Sequence, residues 1–75
     1  MLVYPNPLQN GNWTLEVGNF IPGMIAEIFD ATGRLVYHLQ VTTARSEISI
    51  TVAAGVYTIR VSANGNIFTQ KLIKL

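Results

Sequence analysis

The stretch that decides the fold is Ala53-Ala54-Gly55-Val56-Tyr57-Thr58-Ile59-Arg60-Val61, followed by Asn64-Gly65-Asn66 and then Lys71-Leu72-Ile73-Lys74-Leu75. Tyr57, Ile59 and Val61 alternate with Thr58, Arg60 and Ser62, the period of two of a half-buried strand. Gly55 opens that strand. The pair Asn64-Gly65 is the strongest short-range signal for a two-residue hairpin turn, because both residues tolerate positive φ. A second strand then runs to the end of the sequence and carries Lys71 and Lys74. The reading is a β-hairpin at the end of the chain, placed where another protein can use it as an address.

Working outward, Ile48, Ile50 and Val52 alternate with Glu47, Ser49 and Thr51. Asp30-Ala31-Thr32-Gly33 is a strong turn, since an Asp side chain accepts nearby backbone N–H groups and a closing Gly permits positive φ. It joins a strand over 24–29, with Met24, Ala26 and Ile28 on one face, to a returning strand. There Leu35, Tyr37, Leu39 and Val41 share one side, and Val36, His38 and Gln40 the other. Trp13, Leu15 and Val17 alternate with Thr14 and Glu16. Leu2-Val3-Tyr4 is a short strand that stops at Pro5, and Pro5-Asn6-Pro7 excludes helix. No segment has the 3.6-residue period of a stable helix. The expected fold is all-β, an immunoglobulin-like antiparallel β-sandwich of about seven short strands, with an open barrel as the runner-up.

The sequence of 75 residues allows one domain, taken as 1–75. It holds 0 cysteines, so no disulfide staples it, and its single histidine does not hold a metal alone. The core must come from apolar side chains, which make up 49% of the residues. Charged residues are 12%, about half the usual share, which suggests that something covers part of the apolar surface. A net charge of +1, with Arg34, Arg45 and Arg60 scattered, gives no footprint for nucleic acid. No apolar run reaches the ~18 residues of a membrane span, and the start lacks the basic and apolar regions of a signal peptide.

Nothing assembles a catalytic centre, so no enzyme, cofactor or metal is expected. His38 reads as a surface or half-packed strand residue without a nucleophile or an orienting acid beside it. Asp30 reads as a turn cap rather than a calcium ligand. Glu16, Glu27, Asp30 and Glu47 fall on separate elements, which argues against a paired-carboxylate glycosidase. Trp13, Tyr4, Tyr37, Tyr57, Phe20, Phe29 and Phe68 read as core rather than as a sugar platform. Tyr57 should turn inward with its hydroxyl near a loop backbone. Charges such as Lys71 and Lys74 on an edge strand deter edge-to-edge association.

Taken together, these residues resemble the C-terminal sorting domain of the type IX secretion system. Tyr4-Pro5-Asn6-Pro7 is similar to its opening motif. Ala26 to Val36, with Asp30, Gly33 and Arg34 in the turn, is similar to its middle motif. Ala54-Gly55-Val56-Tyr57 resembles a third, in which Gly-apolar-Tyr opens a strand, although Val52-Ala53-Ala54 replaces the usual Leu and Pro. Lys71-Leu72-Ile73-Lys74 resembles the closing motif, although Leu75 stands where a polar residue is common. The resemblance spans essentially all 75 residues. It implies a tail that follows a cargo domain, passes through the periplasm and is recognised by an outer-membrane translocon. The cargo then reaches the cell surface or the medium, and a sortase-like peptidase removes the domain.

Joined to the residue reading, this yields an expected mechanism. A receptor adds a strand to the edge of the last hairpin. Gly55, Tyr57, Phe68, Lys71, Leu72 and Lys74 are the expected recognition residues, with the lysines giving charge recognition and Phe68 and Leu72 filling apolar pockets. Tyr4, Pro5, Asn6, Pro7, Asp30, Gly33, Arg34, Asn64 and Gly65 are the expected structural ones. The competing class is a carbohydrate-binding or structural sandwich module appended to an extracellular enzyme or adhesin.

Overall fold

A computed structural model describes residues 1–75. Seven strands follow in order: β1 (Leu2–Tyr4), β2 (Trp13–Glu16), β3 (Ile25–Phe29), β4 (Leu35–Gln40), β5 (Arg45–Ile48), β6 (Gly55–Ala63) and β7 (Asn66–Lys74). They form a three-stranded sheet, β1-β2-β5, and a four-stranded sheet, β4-β3-β6-β7, with every strand pair antiparallel. The chain changes sheet between β2 and β3, between β4 and β5, and between β5 and β6. This is the Greek-key connectivity of an immunoglobulin-like sandwich.

Alternation places the core. Val3, Trp13, Leu15 and Ile48 from the smaller sheet, with Val17 just after β2, meet Ala26, Ile28, Tyr57, Ile59, Val61, Ala63 and Leu72 from the larger one. Trp13 is fully buried and meets Tyr57 edge-on, with ring centroids 6.3 Å apart. Its indole N–H is buried without a partner, so apolar packing of the ring outweighs a lost hydrogen bond. The hairpin turn has Asn64 at φ 51° and Gly65 at φ 79°. Positive φ at both central residues is the type I′ turn, whose twist matches the flanking strands.

Four details depart from the sequence reading. A register shift between Ile28 and Phe29 makes Val36 the extra residue of a bulge, so Ile28 faces Tyr37 while Phe29 faces Leu35. Leu35 therefore leaves the face it shares by simple alternation with Tyr37 and Leu39. It lies exposed beside Phe29, and Val36 packs on the core. Ile50 and Val52 pack partly against the core without joining a ladder. β5 already begins at Arg45, inside the expected loop. Of the aromatics, only Trp13 and Tyr57 are core; Phe20 is 40% and Phe68 51% exposed.

The face assignment has a direct check. Ile59 is fully buried and its neighbour Thr58 is exposed. Ile59→Ala should cost about 2–5 kcal/mol, and Thr58→Ala less than about 0.5 kcal/mol, measured by urea unfolding.

Candidate recognition edge

β7 is an edge strand, and its backbone decides what a partner meets. Because Ala63 and Asn66 flank a two-residue turn, they form a hydrogen-bonded pair. By alternation, Asn66, Phe68, Gln70, Leu72 and Lys74 direct their peptide groups toward β6. Ile67, Thr69, Lys71 and Ile73 direct theirs outward. The two sets have different environments along the strand.

Toward the end of the chain the outward groups are taken. The side-chain amide of Asn6 donates from Nδ2 to the Lys71 carbonyl at 2.9 Å and accepts the Ile73 N–H on Oδ1 at 2.9 Å. Leu8 N–H donates to the Ile73 carbonyl and Leu75 N–H to the Leu8 carbonyl, both at 2.8 Å. Leu8 and Lys74 make an isolated parallel bridge. The Leu8 side chain is 1% exposed, so the core anchors this strap. Both prolines flanking Asn6 follow cis peptide bonds. Lys74 Nζ donates to the Gln9 carbonyl at 3.1 Å and to the Leu75 carbonyl at 2.7 Å.

The other half of the edge is open. The outward peptide groups of Ile67 and Thr69, and the Lys71 N–H, meet no backbone partner. Ile67 is 61% exposed. Phe68 lines a cleft of about 290 Å³ with Val17, Ile21, Met24, Val61 and Ala63, where the smaller sheet stops short of covering the hairpin tip. Leu72, by contrast, is fully buried. Its expected role as a side chain offered to a receptor pocket is corrected: in the folded domain it is core, opposite Tyr57.

The remaining sequence-marked residues gather at the pole where the chain ends. Gly55 pairs with Lys74 and Tyr57 with Leu72. The Tyr57 hydroxyl donates to the Ala53 carbonyl at 2.6 Å, tying the start of β6 to the loop before it. The partly buried Tyr4 lies on β1, which runs into the strap. Across a shallow cleft from Tyr57 lies the β3–β4 turn. There Asp30 accepts from Thr32 N–H and Oγ1 and from Arg34 N–H and Nε. Gly33, at φ 88°, closes the turn by donating to the Asp30 carbonyl. Asn64, Gly65 and Phe68 lie at the opposite pole. Leu8, Gln9, Ile67 and Thr69 escaped the sequence reading; the apolar Leu8 directly after Pro5-Asn6-Pro7 was the one available signal.

Among family models, that of the secretion system C-terminal sorting domain matches residues 2–75. The chain belongs to this family. The domain is therefore the C-terminal sorting signal of type IX secretion cargo, and its place is at the end of an exported protein. No curated protein matches the chain. No helix is long and apolar enough to cross a membrane.

Three ion pairs join the sorting domain's charges: Arg34–Asp30 in the β3–β4 turn, Arg45–Glu16 between β2 and β5, and Arg60–Glu27 across the middle of the β3–β6 ladder. The Thr32 hydroxyl, followed by the Arg34 N–H, holds the Asp30 carboxyl below its ordinary range. Hydrogen bonds from Arg45 do the same for Glu16, joining β2 to β5 at 2.6 Å and 3.0 Å. A carboxyl whose folded pKa is lowered contributes stability above its unfolded value, and that contribution is lost as pH falls through the folded value. Stability should be level near neutrality and fall as pH drops below about 4. Asp30→Asn should be less stable at pH 7, with the difference narrowing in acid, measured by thermal unfolding across pH.

Proposed function

We propose that the translocon receptor reads the sorting domain in its folded state, by adding a strand along the open half of β7 from Ile67 to Lys71. The observation that carries this reading is that the outward peptide groups of Ile67 and Thr69 and the Lys71 N–H meet no neighbour, while the edge from the Lys71 carbonyl onward is strapped. An extended receptor segment gains main-chain hydrogen bonds there and takes selectivity from alternate side chains. On the outer face it meets Ile67, Thr69 and the exposed Lys71, which suits an acidic partner residue. On the inner side it meets Phe68 and the apolar cleft.

The two lysines have separate jobs in this reading. Lys71 supplies the charge for recognition. Lys74, bonded to the Gln9 and Leu75 carbonyls, fastens the end of the strand. Gly55 and Tyr57 act indirectly, by fixing the start of β6 against which β7 is paired. The cargo, delivered first to the periplasm, is drawn through the outer membrane by this contact. A sortase-like peptidase at the surface then cuts ahead of the domain.

Removing Lys71 to Leu75 is a poor test, because it also removes the buried Leu72 and the partners of the strap. Surface changes discriminate. The Thr69 N–H points away from β6, so Thr69→Pro blocks strand addition without breaking the hairpin ladder. Thr69→Pro and Lys71→Glu, each in this domain fused to an exported reporter, should cause periplasmic accumulation while the purified domains unfold close to the parent. Normal export of both variants overturns the reading.

A further inference from the structure

We infer that Asn6 is a positioning residue of the sorting signal: its side-chain amide stands in for a neighbouring strand and fixes the last strand for recognition. The inference rests on β7 being the strand that is read. Asn6 lies 65 residues before Lys71 and 67 before Ile73, yet it satisfies the outward carbonyl of the first and the outward N–H of the second. Those groups flank one residue, Leu72, and an extended strand presents such a pair to its neighbour. Closing both needs one donor and one acceptor on a planar group. An amide carries them on two separate atoms of one plane, whereas an ionised carboxylate lacks the donor, an ammonium lacks the acceptor, and a hydroxyl has both on a single oxygen.

The position of the clamp determines what remains open. The strap ends at the Lys71 carbonyl, and the Lys71 N–H is the first outward group left free. Asn6 therefore sets the boundary between the sealed and the readable parts of β7. It also keeps the Lys71 backbone in the plane of the sheet, so that the side chain leaves from the outer face. The opening motif and the closing motif act as one unit joined by these hydrogen bonds. Leu8, buried behind Asn6, holds the strap in place.

The test follows amide hydrogen exchange in the 75-residue domain, and export of the same domain fused to a reporter. Asn6→Ala should speed exchange at Ile73 by roughly tenfold, leave the Gln70 amide as protected as in the parent, and reduce export at least as far as Lys71→Glu does. Unchanged exchange at Ile73 overturns the clamp. Faster exchange with normal export, while Lys71→Glu blocks export, reduces Asn6 to a structural role and also overturns the inference. Normal export of Asn6→Ala overturns this inference, and normal export of Lys71→Glu and Thr69→Pro as well sinks the reading of β7 itself.

Should Asn6→Ala fail to fold, Asn6→Asp decides. Near neutral pH its carboxylate accepts from Ile73 but faces the Lys71 carbonyl with no proton to donate. In acid the protonated carboxyl donates, and the clamp is restored. The stability gap between Asn6→Asp and the parent should be largest near pH 7 and close toward about pH 3. A gap independent of pH overturns the inference.

Discussion

Apolar burial in a chain without staples constrains everything else here. No disulfide links the sheets, and 15 buried residues, all of them apolar or aromatic, hold them together. A domain of this size has only a few kcal/mol to spare, so no strand is dispensable. The last strand is no exception: Leu72 is fully buried against a core that includes Ile59 and Val61 from β6. The strand assigned to recognition is therefore also a structural strand. A label built this way is a folded object rather than a loose peptide, and in the proposed reading its receptor works from the outside.

An edge strand presents unpaired peptide groups, and these invite association with other chains. The sorting domain answers the hazard unevenly. At the end of the chain the strap closes the edge with the Asn6 amide, the Leu8 backbone and the Lys74 ammonium. Toward the hairpin tip the edge stays open, carrying Ile67 and Thr69 outward. In the proposed reading, the half left bare beside an apolar cleft is where a strand-adding partner docks.

Much of the fold was legible from local chemistry. The alternation in β2 and β6 set their inner faces directly, and Asn64-Gly65 marked its turn because few other dipeptides accept positive φ twice. Asp30 to Arg34 was legible for a similar reason, since the Asp side chain bonds within its own turn. Alternation misplaced Leu35 because one extra residue in a strand reverses every face beyond it. Phe68 was expected to pack because its parity is inward. It stays half exposed because the three-stranded sheet is too short to cover it. The link from Asn6 to β7 was not legible, since a pairing across 65 residues leaves no trace in the spacing of either segment.

The pair Lys71 and Lys74 shows how far a period of two reaches. Residues three apart on a strand point to opposite faces and turn their peptide groups to opposite sides. Lys71 belongs to the outward set with Ile67 and Thr69, so its side chain stands on the outer face beside the open edge. Lys74 belongs to the set that pairs with β6, opposite Gly55, where no side chain competes for the space. Its ammonium bends to carbonyls at the strap and at the last residue. A Lys-x-x-Lys spacing that reads as a single basic cluster in the sequence is, on a strand, one free charge and one fastener. The same parity separates Phe68, half exposed at the cleft, from its outward neighbours Ile67 and Thr69. A strand docking on this edge therefore meets main chain at odd positions, a cation on one face and an aromatic ring on the other, a combination that determines both its direction and its register.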